Sequence, residues 1–339
     1  MRRIPVLLAA AGLMAGAGWL ALGGGRGKAP LPGPDVAAPA RGDPLAATRP
    51  AAPRPGEARP RELGAVVARA SRPDAAPVTL LAAALVTRDE TWLRRAAELH
   101  PGDPDVLMAL VRAAKTPEER AAALAAFRAA DPDNALGPYL EAADAAKAGD
   151  PTAAAAALVD AAMAEELRRG EVRLLLETDA LLRESGADDL EAHVAAFGLV
   201  PAWSGAELIR LGRGLGDLQR IFVELGDWDE ADFLLEQTLR LGGSLRQGGL
   251  LLDNLGGVHM ETGLLGALDP ETVITWEGER AGERLADLEM ERAEIAGLAG
   301  DTERLMGRFQ GLDAAGWAQY RRLLAEEGER AALRWLQER

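Results

Sequence analysis

From Asp74 onward, apolar residues recur at intervals of three and four, β-branched residues are sparse, and no alternating run suitable for a strand interrupts them. That pattern commits the body of the chain to an all-α fold. Turn and cap signals cut it into short helices at Pro101-Gly102-Asp103-Pro104, Thr116-Pro117-Glu118-Glu119, Asp131-Pro132-Asp133-Asn134, Gly149-Asp150-Pro151, Gly226-Asp227, Gly242-Gly243 and Asp269-Pro270-Glu271. Pro101 and Pro132 stand 31 residues apart, an interval that holds two helices, and such spacing announces stacked helix pairs.

The N-terminal quarter is built differently. Arg2 and Arg3 precede an uncharged apolar stretch, Ile4 to Leu22, which ends at Gly23-Gly24-Gly25-Arg26. Residues 1–25 therefore read as a targeting segment that meets the membrane through residues 4–22, long enough to span it as a helix. The alternative is a shorter signal cleaved after Ala17, whose neighbours Ala15 and Gly16 are small. Both readings export the rest of the chain. Between Ala29 and Glu62, nine residues are Pro and nine are Ala, and no Ile, Phe, Trp or Tyr occurs, so residues 26–73 are expected to be a disordered Pro/Ala/Arg-rich linker. Residues 1–72 carry a charge of +7 within a whole of −15, leaving the remainder at −22. A basic arm on an acidic body fits an arm near an anionic surface and a body in water.

This charge balance argues against a nucleic-acid partner held through its phosphates. Cysteine is absent, which removes disulfides, thiol nucleophiles and cysteine metal sites. The three histidines, His100, His193 and His259, form no His-x-x-x-His pair. His100 is expected to interact with helix-terminal carbonyls, and His193 has no second metal ligand of proper type at helical spacing. Glu165-Glu166, Asp188-Asp189 and Glu326-Glu327 are sequence neighbours, which on a helix point about 100° apart rather than across a cleft. Gly212-Arg213-Gly214-Leu215-Gly216 has no strand before it and reads as a weakened or kinked helix rather than a dinucleotide loop. No cofactor, no metal site and no catalytic residue is expected.

Leu218, Phe222, Gly226, Trp228, Ala231 and Leu235 fall at spacings that resemble the tetratricopeptide repeat family, and Leu255, Gly256, His259 and Gly263 restate the first-helix half of that motif 37 residues on. The resemblance implies a solenoid of helix pairs over residues 74–268, with all ten residues in repeat packing and a concave face that binds protein partners. Its weakest match runs from Glu171 to Ser204. Residues 269–339 read as a C-terminal helical extension that caps the solenoid, with one helix starting at Asp269-Pro270-Glu271 and running to Gly300. In that extension Trp317, Tyr320 and Trp335 are candidate partner anchors, because aromatic side chains dominate interface energetics, and the favoured alternative is that they cap the solenoid's hydrophobic end, since a terminal helix must cover the last repeat. Together these features describe a non-enzymatic protein-protein interaction scaffold of the bacterial cell envelope, tethered to the membrane. The alternatives are a self-associating structural spacer that forms homo-oligomers, and an α-helical hydrolase of α/α-barrel type, which so few aromatic residues disfavour.

Overall fold

The computed structural model describes residues 63–200, 203–275, 278–299 and 302–339. The expected membrane segment at residues 4–22, the cleavage position after Ala17 and the linker up to Glu62 lie outside the described residues. Among the described residues no helix is long and apolar enough to cross a membrane. They form sixteen α-helices and no strand. In chain order these are α1 (Leu63–Ala70), α2 (Pro77–Thr87), α3 (Thr91–Leu99), α4 (Pro104–Ala113), α5 (Pro117–Ala130), α6 (Leu136–Ala148), α7 (Pro151–Met163) and α8 (Glu171–Glu184). They continue with α9 (Asp189–Leu199), α10 (Trp203–Leu225), α11 (Trp228–Arg246), α12 (Leu251–Leu265), α13 (Ala281–Ala299), α14 (Thr302–Gln310), α15 (Ala314–Glu326) and α16 (Glu329–Glu338).

Most of the punctuation seen in the sequence closes these helices, but α11 runs straight through Gly242-Gly243, which therefore cuts nothing. The Asp103, Thr116 and Asp150 side chains accept hydrogen bonds from backbone N–H groups in the first turns of α4, α5 and α7, and a proline follows each cap. Gly149, Gly186 and Gly226 end α6, α8 and α10 in the left-handed conformation. In each case the next residue's N–H reaches back five positions to a helical carbonyl, at 2.9 Å for Asp150 and Asp227 and 3.2 Å for Ala187.

Three corrections concern boundaries. Helix α1 lies inside the stretch expected as linker, because Val66 and Ala70 are buried in a core with α2 and α8 residues, and Arg69 pairs with Glu177 (2.6 Å) and Glu184. The helix expected from Asp269 begins only at Ala281. Residues 269–275 make a turn and a single β-bridge, Val273 to Arg280, and the Pro270 carbonyl accepts from Gly282 N–H at 2.9 Å. Around Gly212, by contrast, α10 runs unbroken from Trp203 to Leu225.

The helices pair in sequence as α4/α5, α6/α7, α10/α11 and α12/α13, and α6 packs directly on α10. Helices α8 and α9, the stretch that fits the repeat motif worst, step out of this row. Helix α8 packs against α1, α2 and α15, so both ends of the described chain meet on it. The buried side chains sort accordingly into one core of α1–α3, α8, α9 and α14–α16, a second of α4–α7, α10 and α11, and a third of α11–α13.

Helices α10 and α12 run parallel and mesh through glycine. An added Cβ at Gly205 would strike Asp253, one at Gly212 would strike Met260, and one at Gly216 would sit 3.4 Å from Leu264; in return Gly256 of α12 receives Ile209 of α10. The four facing pairs are offset by 47–48 residues rather than 37, and each glycine makes the room its partner fills.

The other flank of α12 is joined by charge. Glu261, fully buried, takes Arg284 of α13 at 3.0 Å and Arg246 of α11 at 3.4 Å; Arg246 also holds Glu291 at 2.7 Å; Glu291 holds Arg330 of α16 at 2.6 Å; and Arg330 and Arg334 share Glu294. Arginine forks that bridge two carboxylates recur elsewhere, as at Arg120 with Asp144 and Glu207, and Arg128 with Glu141 and Asp160. A planar fork of five donors can bind two helices at once where a lysine ammonium is a single point, which suits arginine to these junctions.

Candidate functional site

Where the first and third cores meet, the surface opens into an apolar cleft of about 360 Å³. Leu175 of α8 and Phe197 and Val200 at the end of α9 form one wall, Leu250, Leu251, Leu252 and Leu255 at the start of α12 form the other, and Ile295 of α13 and Glu329 of α16 close it. Leu252 and Leu255 are exposed on its rim. Its size is that of a ligand or side-chain cleft, and such sites gather at junctions between packing units.

The rigid part of the site is the start of α12. The Asn254 amide donates to the carbonyls of Arg246 (2.7 Å) and Gly248 (2.8 Å), which pins the α11–α12 connection. Glu329 and this connection clasp each other: Glu329 N–H donates to the Gly249 carbonyl at 2.8 Å, and its Oε2 accepts from Leu251 N–H at 2.8 Å. The carboxyl thus caps α12 from another helix, at the end where the helix dipole favours a negative group. Gly328 permits the approach, since it has a φ of +85° and a Cβ there would lie 3.1 Å from the Gly249 carbonyl oxygen. Burial pushes the Glu329 carboxyl above its ordinary range, against the pull of the Leu251 N–H, and Asp253 pushes the same way.

Beneath the clasp lies a buried ion cluster. Arg169 forms a two-pronged pair with Asp253, with Nη1 at 3.0 Å, and its Nε lies 3.8 Å from Glu171, which Arg112 holds at 3.0 Å. Burial raises Asp253, and Arg169 opposes the shift. These pairs tie α4, α8 and α12 and fix the cleft before anything enters it. The nearby aromatic cluster does the same from the other wall. His193 is buried among Phe197, Phe309, Trp317 and Tyr320, with ring centroids 4.9 to 5.5 Å away, and the Arg321 guanidinium lies over Trp317 at 4.8 Å. Burial, with a smaller contribution from Arg321, lowers His193 to about 3.

The residues singled out by sequence divide sharply. Leu218, Phe222, Ala231 and Leu235 are buried, Gly226 makes the left-handed turn, and Gly256 faces α10. Trp228, however, stands 61% exposed at the first turn of α11. Leu255, His259 and Gly263 point outward, because α12 buries the stripe Asn254, Gly257, Val258, Glu261 and Leu265 instead. Trp317 and Tyr320 are 3% and 1% exposed and serve the aromatic core, so of the two readings they take the covering role and not that of exposed anchors, while Trp335 is half-buried under Arg339. His100 caps α3, and its Nε2 donates to the Ala75 carbonyl at 3.0 Å. Sequence reasoning missed the cleft altogether; its signal is the run Leu250-Leu251-Leu252 directly after Gly248-Gly249.

Among the described residues no group of three or more His, Cys, Asp or Glu side chains is arranged to hold a metal ion. Comparison with protein-family models, with curated proteins and with solved structures gives no match to this chain.

Proposed function

We propose that the protein is a non-enzymatic scaffold of the bacterial cell envelope, tethered through residues 4–22 with its helical body exported, that docks a partner protein by an apolar segment. The observation that carries this reading is the cleft, whose walls are apolar, whose rim exposes Leu252 and Leu255, and whose single carboxyl is occupied in capping α12. A partner helix or strand end with two or three large apolar side chains suits such a surface. The parallel, meshed α10 and α12 with antiparallel α11 between them support a solenoid resembling the tetratricopeptide repeat for the α4–α7 and α10–α13 row. In this reading the body is held away from the membrane by the Pro/Ala-rich linker, and export after cleavage behind Ala17 is the alternative address.

The test is capture from detergent-solubilised envelopes by the full chain and by its Leu252→Asp/Leu255→Asp variant. Both leucines are exposed, so the variant keeps the fold. A stoichiometric protein retained by the wild type through moderate salt and lost from the variant is the expected result. Equal retention by both overturns docking at the cleft.

A further inference from the structure

Leu225 and Trp228 flank Gly226 at the turn between α10 and α11, and both stand in solvent, 63% and 61% exposed. This is no frayed end. Gly226 N–H donates to the Val223 carbonyl at 3.1 Å and Asp227 N–H to Phe222 at 2.9 Å, so the turn presents the two side chains on a closed, fixed tip. A tryptophan and a leucine left bare side by side give a partner an aromatic and an aliphatic surface to bury, and tryptophan is the side chain most enriched among residues that dominate binding energy. The tip is also acidic: Glu224, Asp227 and Asp229 stand on either side of the tryptophan in sequence, and no Lys or Arg occurs between Arg220 and Arg240.

The chemistry that fits a bare indole with carboxylates on either side of it in the sequence is a cationic, proline-bearing segment. Proline packs on the indole face, and guanidinium groups meet both the ring and the carboxylates. The chain itself carries that segment. Arg49-Pro50, Arg54-Pro55 and Arg59-Pro60 repeat at intervals of five residues, within the basic arm.

We infer that the α10–α11 tip receives the Arg-Pro repeat of a second copy of this chain. The arm joins the body at α1, in the core built on α8, whereas the tip ends a helix of the other core. Helix α10 carries the tip roughly 33 Å away from its own start beside Asp253. Arg59 precedes Leu63 by four residues and Arg49 by fourteen, reaches of at most about 14 Å and about 50 Å, so the segment is long enough to be laid on the tip of a neighbouring copy. Tethered copies exchanging arms in this way would form open chains on a surface rather than closed pairs, since arm and tip are different patches. The inference does not depend on the cleft.

The probe is a fluorescently labelled peptide of residues 45–62, and the receptor is the full chain in detergent with Arg49, Arg54 and Arg59 changed to Ala, so that its own arms do not compete. Saturable binding is expected, weakened at least tenfold by Trp228→Ala in the receptor, weakened by Asp227→Asn/Asp229→Asn, and reduced by salt. Because Trp228 touches solvent over most of its surface, loss of binding in a variant with an unchanged helical circular dichroism spectrum reports the site. Sedimentation of the wild-type full chain is expected to show concentration-dependent association that both Trp228→Ala and the triple arginine variant abolish. Peptide affinity unchanged by Trp228→Ala overturns the site, and association unaffected by either variant overturns the exchange between copies.

Discussion

Helix α12 is joined to its neighbours in two opposite ways. Toward α10 the seam is steric, with Gly205, Gly212 and Gly256 each making room for one side chain of the facing helix. Toward α11, α13 and α16 the seam is a ladder of arginine and glutamate that starts at Glu261, and adjustable side chains carry the contact. The first seam fixes distance between helix axes and leaves no room for a methyl at Gly205, Gly212 or Gly256, although one at Gly216 would meet Leu264 at 3.4 Å. The second fixes pairing and tolerates small shifts, but a missing member leaves charge stranded.

The strongest break is expected at the ladder's buried end. Glu261→Ala strands two arginines and should cost about 3 kcal/mol in chemical denaturation, the low end for a broken buried pair because Arg246 keeps Glu291 and Arg284 keeps Glu279. A smaller loss measured there would mean that water already screens the site. Next comes the steric seam: Gly212→Ala drives a methyl into the Met260 sulfur and should cost about 2 kcal/mol, whereas Gly214→Ala, with nothing near its Cβ, should be neutral or slightly stabilising. Salt should leave this pair of values unchanged, which separates it from the ladder.

Acid titration separates the ladder from the aromatic cluster around His193. His193 is held neutral, so below its ordinary value of 6.5 only the unfolded chain gains its proton. Its contribution is whole above pH 6.5 and is lost as pH falls toward about 3, at up to about 1.4 kcal/mol per pH unit. His193→Phe should flatten the unfolding midpoint between pH 6.5 and 4.5. Glu294 works lower down: hydrogen bonds from Arg330, then Arg334, depress it to about 2, so its contribution is present above pH 4.5 and disappears between there and pH 2. Smallest of all, Arg334→Ala removes a half-exposed member of the ladder and should cost about 0.5 kcal/mol at low salt and less at high salt.

Most of the helical text was legible, since caps such as Asp103-Pro104 and Asp150-Pro151 act locally. Phase was not. The motif spacing at Leu255, His259 and Gly263 is sound for a helix, but which stripe faces inward depends on Gly256 and Gly257 admitting Ile209 and Arg246, contacts made by other helices. Trp228 misled for a related reason: it occupies the first position of α11, before the buried stripe begins at Glu230 and Ala231. Trp317 and Tyr320 could be read as anchors or as a cap because His193, which packs against both, belongs to a helix more than a hundred positions earlier. The cleft was invisible for the same cause, being assembled from α8, α9, α12, α13 and α16.

The detour of α8 and α9 sets an order of events during synthesis. The α4–α7 hairpins find their partners within a few dozen residues, but the faces of α8 and α9 that carry Leu175, His193 and Phe197 are completed only when Phe309, Trp317 and Tyr320 emerge near the end of translation. A nascent chain of this protein therefore carries a bare aromatic face through its final third, and a product truncated shortly before Phe309 keeps that face for its whole life, a target for chaperones and proteases rather than a shorter scaffold.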